Sequence, residues 1–228
     1  MLVAIPNALN AQQLQALRAR LDAAPDSWVD GRVSAGYQGA PVKLNEQVDE
    51  RSDAAAACQG IVLGALERHP LFISAALPNE VYPPMFNRYG VGMAFGAHVD
   101  GSVRIQPHTG RKLRTDISAT LFLSEPDEYD GGELVVHDPF GEHRVKLAAG
   151  DMVVYPATSL HEVTPITRGR RIASFFWVQS LVRDDAQRTM LFELDNAIQR
   201  LNASGADEQA RRTLIGLYHN LMRQWSDT

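Results

Sequence analysis

His98 and Asp100 stand two residues apart in GAHVDG, and His161 follows far downstream in SLHEV. Two imidazoles and one carboxylate can occupy one face of a ferrous ion, leaving open positions for a chelating co-substrate and for O2. Arg171 comes next, in TRGRRIASFFW. A guanidinium there can grip the far carboxylate of a 2-oxoacid through two parallel hydrogen bonds. Together the four residues point to non-haem iron oxygenation. A His-x-Asp pair by itself is more often a surface turn. Its weight comes from standing at the start of a β-rich stretch, with the third ligand near the end of that stretch and the arginine on the last strand.

Positioning these groups needs strands. Residues i and i+2 of a strand face the same way, so His98 and Asp100 are expected to project together into the mouth of a roll while Val99 points away into packing. His161 begins a strand after the turn PATSL, and Glu162 faces away from it. Arg171 shares a strand face with Ala173, Phe175 and Trp177. A charge on such a face needs a partner, which is either a buried acid or the carboxylate of 2-oxoglutarate. Asn87 and Tyr89 are co-facial on the strand before the ligand pair. Tyr89 either donates to the same carboxylate or is a core tyrosine with its hydroxyl at the rim. The remaining histidines, His69, His108, His137, His143 and His219, have no partner at ligand spacing and are expected at the surface. Asp130-Gly131-Gly132 is a turn signal. The polar stretch 101–114 carries Arg104, Arg111, Lys112 and Arg114 directly after the ligand pair. It is either a solvated loop or a lid that attracts an acidic substrate. Lys43 and Asn45 are candidates for a further wall of the opening.

The bulk properties narrow the classes. The chain has 228 residues, 45% hydrophobic and 21% charged, as in ordinary globular proteins. Its net charge of −5 carries no basic footprint for nucleic acid. Cys58 is the only cysteine, so no intramolecular disulfide forms, which fits a reducing compartment. The N-terminus lacks the basic and apolar regions of a signal peptide, and no apolar run is long enough to span a bilayer. A cytoplasmic protein without a membrane anchor is expected. A first helix is capped by Asn10, with Gln13 in capping-box position and Leu14, Leu17 and Leu21 on one face. Short strands and a loop are expected over 27–47, and a second helix over Ser52 to Arg68 with Ile61, Leu63 and Leu66. Eight short strands over 80–180 suggest a jelly roll of two antiparallel sheets. Two helices over 184–202 and 206–226 form a terminal hairpin. Its face bearing Leu214, Leu217, Tyr218, Leu221 and Trp225 either covers one sheet or joins two subunits as a homodimer. The expected fold is mainly β with flanking helices, a double-stranded β-helix plus a C-terminal helical hairpin. Three parts follow: 1–79 flanking the core, 80–183 the jelly-roll core, and 184–228 the hairpin.

The segments FNRYGVGMAFGAHVDG, ISATLFLSEPDEYDGGELVV and AAGDMVVYPATSLHEVTPITRGRRIASFFWVQSLVRD resemble those of the PKHD-type hydroxylases. These are bacterial relatives of the prolyl and lysyl 4-hydroxylases within the Fe(II)/2-oxoglutarate dioxygenases. The resemblance is close over 80–185 and looser over 28–47 and the hairpin. It implies that His98, Asp100 and His161 bind Fe(II), that Arg171 binds 2-oxoglutarate, and that L-ascorbate (vitamin C) serves as auxiliary reductant. It implies oxidative decarboxylation of 2-oxoglutarate coupled to hydroxylation of a substrate that the sequence does not identify. A carboxylate at position 100 favours hydroxylation over halogenation, which needs that coordination position for halide. Two other classes stay open: a cupin-like metalloenzyme that uses no 2-oxoacid, and a non-catalytic iron or 2-oxoglutarate sensor.

Overall fold

The strand Arg171–Ser180 is buried at eight of its ten positions, which is what an unbroken apolar run in mid-sheet requires. The structure, a computed structural model, describes every residue except Gln38, His108, Ala206 and Thr228. Before residue 78 lie strands β1 (Val3–Ile5), β2 (Trp28–Asp30), β3 (Lys43–Leu44) and β4 (Glu46–Val48), with helices α1 (Ala11–Asp22), α2 (Asp53–Leu66) and α3 (Pro70–Ala76). Then come β5 (Pro78–Val81), β6 (Met85–Tyr89), β7 (Ala94–His98), β8 (Val103–Ile105), β9 (Lys112–Arg114) and β10 (Ile117–Phe122). They are followed by β11 (Tyr129–Gly131), β12 (Leu134–Asp138), β13 (Gly141–Val145), β14 (Met152–Pro156), β15 (Leu160–Val163), β16 (Ile166–Gly169) and β17 (Arg171–Ser180). Helices α4 (Asp185–Ser204) and α5 (Glu208–Trp225) complete the chain.

The larger sheet has eight strands in the order β1-β14-β10-β17-β6-β4-β2, with β5 also paired to β17, and the smaller has five in the order β13-β12-β15-β7-β3. Every pairing is antiparallel, and both sheets line one cavity. This is the jelly roll that the strand pattern suggested. The region holds more than the eight strands expected, because short ladders, β8 with β9 and β11 with β16, form where polar connections were anticipated. The segment before residue 78 supplies strands to both sheets.

The helices cover the larger sheet. Asn10 and Gln13 form the expected capping box of α1, and Leu17 and Leu21 are buried. In α2 the buried face is Ala55, Cys58, Val62 and Leu66, at helical spacing. The second helix was expected to run to Arg68 with Leu63 on its face. It stops earlier because His69 caps, and Pro70 begins, the separate helix α3. Ile5, Leu17, Val62, Phe72, Leu121 and Phe176 join one continuous core between these helices and the sheet. The terminal hairpin turns at Gly205, whose φ of 63° is one that glycine adopts without strain. Tyr218 and Trp225, on the face expected either to cover a sheet or to join two subunits, pack on Leu77, Val182 and Leu191 of the same chain. No helix among the described residues is long and apolar enough to cross a membrane.

Candidate metal centre

His98 ends β7 and His161 is the second residue of β15, and the two are direct partners across that strand pair. Their ring centroids lie 4.3 Å apart. Asp100 lies just beyond β7, in the turn rather than on the strand. Its carboxylate nevertheless reaches back, 3.9 Å from His98 Nε2 and 3.7 Å from His161 Nε2. One donor atom from each residue falls within 4.8 Å of the others, the one such metal-competent group among the described residues. Val99, expected to point into packing, is half-exposed and lines the cavity instead. Because the strand ends at His98, the alternation that would have turned Val99 inward no longer applies.

Local hydrogen bonds set the chemistry of each donor. His98 Nδ1 lies 2.8 Å from the Gly96 carbonyl and His161 Nδ1 lies 3.0 Å from the Ser159 carbonyl. A carbonyl oxygen only accepts, so both Nδ1 atoms carry the proton and both Nε2 lone pairs are free. Burial and the neighbouring His161 hold His98 down to about 4, so its ring is neutral at neutral pH. Phe95 stacks on His98 at 3.6 Å, and Tyr155 meets His161 edge-on at 5.1 Å. Ser118 donates to Asp100 Oδ2 at 2.6 Å and fixes the carboxylate's rotation. Sequence reasoning missed Ser118. Its signal was a hydroxyl inside the fully buried strand β10. Glu162 faces away as expected, toward His137 at 3.6 Å. His69 caps α3, and His137 and His143 sit beside acids. His108 lies outside the described residues.

Arg171 lines the same cavity from the opposite sheet. It is 1% exposed, and its Nε has no partner. Among the described residues no carboxylate forms an ion pair with it, so the buried-acid alternative is absent. Two aromatic rings lie beside it: the guanidinium is 5.4 Å from the ring of Tyr89 and 5.3 Å from that of Phe122. Tyr89 is its direct cross-strand partner on β6. Burial raises the Tyr89 hydroxyl, opposed by Arg171, so the phenol stays a donor. Asn87 lines the cavity too, and its Oδ1 is buried without a partner. A buried guanidinium with no anion is costly. Such a site fits a bound carboxylate. The glycine turn once read as mere punctuation passes close by: a Cβ at Gly132 would lie 3.1 Å from Arg171 Cδ.

The cavity joining these groups measures about 340 Å³. Lys43 and Arg104 also line it. Lys43 is buried, as a wall residue should be, and burial with the neighbouring Arg104 brings its ammonium down to about 8. Asn45 is buried but does not line the cavity. The polar stretch after the ligand pair is a β-hairpin, and three of its four cations do not form a lid. Arg111 pairs with Glu80 at 3.1 Å, Arg114 pairs with Asp116 at 2.7 Å, and Lys112 lies exposed away from the cavity. Glu80 lies on β5, far from Arg111 in sequence, whereas Asp116 stands only two residues beyond Arg114. Only Arg104 turns inward.

A jelly roll that gathers two histidines, a carboxylate and an unpaired buried arginine around one cavity is the architecture of the Fe(II)/2-oxoglutarate oxygenases. A profile of the 2OG-Fe(II) oxygenase superfamily matches residues 84–179, and one of the PKHD-type hydroxylase C-terminal domain matches residues 185–227. The chain belongs to the PKHD-type hydroxylases. It is 74% identical to a PKHD-type hydroxylase of Cupriavidus pinatubonensis and 55% identical to one of Caulobacter vibrioides, each over the full length of both chains. Among solved structures it is similar to a Pseudomonas putida prolyl-4-hydroxylase, with a TM-score of 0.52 at 24% identity over 78% of this chain and 92% of that one. It is also similar to the carbocyclase SnoK from nogalamycin biosynthesis, with a TM-score of 0.57 at 16% identity over 79% and 80%. These two likenesses concern the fold. The protein is a dioxygenase of a family whose metal is Fe(II) and whose co-substrate is 2-oxoglutarate.

Proposed function

We propose that His98, Asp100 and His161 hold Fe(II), that Arg171 with Tyr89 receives the distal carboxylate of 2-oxoglutarate, and that the enzyme hydroxylates a C–H bond of a second substrate. Bound Fe(II) supplies the oxygen activation that couples decarboxylation of 2-oxoglutarate to succinate and CO2 with that hydroxylation. The protein's own contribution is geometry and electrostatics. The Gly96 and Ser159 carbonyls accept from Nδ1 of the two imidazoles and so leave each Nε2 aimed inward. Ser118 holds Asp100 against rotation. Arg171 offers a forked pair of donors to a carboxylate, and the tyrosine phenol can add a third. Phe95, Tyr155 and Phe122 keep water from the inner end.

The observation that carries this proposal is Arg171, buried without an anion in the same cavity as the three donors. The test is succinate formation by full-length protein supplied with Fe(II), 2-oxoglutarate, O2 and ascorbate, the last taken as auxiliary reductant from the family. Succinate at a rate above free iron supports an enzyme, and its absence supports a sensor. Comparative mass spectrometry of cell extracts for oxygen-atom additions, with and without His98→Ala, then identifies the hydroxylated substrate. The single buried thiol, Cys58, supports a cytoplasmic setting. Met190 and Leu217 stay half-exposed on the hairpin and support a homodimer through its outer face, which light scattering checks: a monomer discards it.

A further inference from the structure

The cavity is lined by two cations, Lys43 and Arg104, that the reaction above leaves unused. Lys43 on β3 comes from the smaller sheet, and its ammonium sits 5.3 Å from the ring of Phe95 and 5.5 Å from that of Phe175. Among the described residues its hydrogen-bond partners are neutral, Ser34 Oγ at 3.0 Å and Gln47 Oε1 at 3.2 Å. An ammonium has three donors, so one is left over. Arg104 on β8 lies 4.4 Å from the ring of Trp177 and 5.4 Å from that of Tyr82. It donates to the Ser34 carbonyl at 3.2 Å and reaches the Met85 sulfur at 3.9 Å, leaving most of its five donors without a strong acceptor. Among the described residues neither cation forms an ion pair.

Every other basic residue of the hairpin that bears Arg104 is either paired with an acid or exposed away from the cavity. Lys43 and Arg104 instead face one cavity and repel each other. Asp100 attracts Lys43, yet it is engaged by Ser118 and, in the loaded enzyme, by the metal. With Fe(II), the Asp100 carboxylate, dianionic 2-oxoglutarate and Arg171 in place, those four charges cancel. Glu50 and Asp30 also attract Lys43, but among the described residues neither forms an ion pair with it or with Arg104, so the two cations remain without a contacting anion beside an apolar wall of Phe175 and Trp177. Two unpaired like charges in a partly desolvated pocket are expensive, and an anion arriving between them relieves both costs.

We propose that Lys43 and Arg104 form an anion subsite for the substrate to be hydroxylated, taking a carboxylate or phosphate borne on an apolar, ring-sized body that rests against Phe175 and Trp177. This inference rests on the function proposed above and names the substrate class for the same cavity. It moves the acidic-substrate idea from the exposed hairpin tip to two residues that line the cavity. The anion is distinct from 2-oxoglutarate, which Arg171 receives.

The test uses the full chain loaded anaerobically with Fe(II) and 2-oxoglutarate, titrated calorimetrically with benzoate, phenyl phosphate and neutral benzamide. At least one of the two anions should bind with a stoichiometry of one per chain and at least tenfold more tightly than benzamide. The preferred anion distinguishes carboxylate from phosphate. Lys43→Met and Arg104→Gln should each weaken the anion at least tenfold, while Arg104→Lys retains part of the affinity. In separate titrations without the anions, 2-oxoglutarate affinity should change less than twofold in both neutral variants. Anion binding no tighter than benzamide overturns the proposal, as does anion binding unchanged in both neutral variants. Loss of 2-oxoglutarate binding in Lys43→Met or Arg104→Gln with retention in Arg171→Met would overturn the assignment of Arg171 instead, so the two failures are separable. Circular dichroism of each variant confirms the fold, and Arg104→Gln carries the test alone where Lys43→Met does not fold.

Discussion

His98 and His161 face each other directly across β7 and β15, their rings 4.3 Å apart, while each Nδ1 is engaged by a carbonyl two residues before it in its own chain segment. The pairing register therefore does two things at once: it brings two distant histidines together, and it leaves both Nε2 atoms pointing at the space that Asp100 closes. A one-residue slip of β15 would turn His161 to the opposite face, so the proposed metal site and the strand register stand or fall together.

Ser118 makes that dependence measurable. Ser118→Ala removes the 2.6 Å hydrogen bond to Asp100. Loss of such an outer hydrogen bond weakens metal affinity roughly 10–100-fold, with about 1 kcal/mol of fold stability lost. Competition against a chelating dye under anaerobic conditions measures the first, and urea unfolding the second. Unchanged iron affinity would show that Asp100 needs no outside support.

At the other end of the cavity, Arg171→Lys keeps a charge and loses the fork. The expected cost is roughly 1–3 kcal/mol in 2-oxoglutarate binding, the range for hydrogen bonds to charged groups, with iron still bound. Equal co-substrate affinity in the variant would mean that another residue holds the carboxylate.

Gly131 has a φ of 73°, and a Cβ there would lie 2.0 Å from the Pro165 carbonyl oxygen. Gly131→Ala must shift the β11–β16 ladder beside Arg171 or bear the strain. A loss of roughly 1–3 kcal/mol is expected, read by thermal or chemical unfolding. A variant as stable as the parent would show that the ladder yields freely.

Lys43 gives the pH dependence. Its ammonium is brought from 10.5 to about 8 in the folded protein. Below pH 8 both folded and unfolded chains carry the proton, and the burial cost is felt in full. Between about 8 and 10.5 the unfolded chain alone holds it, so stability rises with pH in that window. Lys43→Met is expected to be more stable than the parent at pH 7. That advantage should shrink by up to about 3 kcal/mol by pH 10.5, from 1.36 kcal/mol per unit. Denaturant unfolding of both proteins across this range checks it. A pH-independent gap would mean that the side chain is not desolvated.

How much of this was legible beforehand follows a physical division. The histidine–carboxylate set, the arginine strand and the capping box of α1 are local patterns, or patterns repeated on strands of period two, and spacing exposes them. The partner of Arg111 is Glu80 on β5, and no spacing rule gives that geometry, whereas Asp116 stands two residues from Arg114 and that pairing was open to a reading of the sequence. Val99 was misplaced because the strand ends at His98, two residues before the Asp100 that the alternation carried it to. Tyr218 and Trp225 form an apolar helical stripe that has one intrachain and one intersubunit solution in sequence, and packing on Leu77 and Val182 uses it within the chain. Lys43 was legible only as a wall residue. Its lack of an acidic partner is a property of the assembled cavity.

The central claim is that His98, Asp100 and His161 bind one Fe(II) in a cavity that also takes 2-oxoglutarate. Anaerobic titration of Fe(II) into the 2-oxoglutarate-loaded protein, followed by its visible charge-transfer absorption, tests it most directly. The account predicts a band that saturates at one Fe(II) per chain and is lost in His161→Ala while the fold persists. Full iron occupancy with the same absorption in His161→Ala would contradict it.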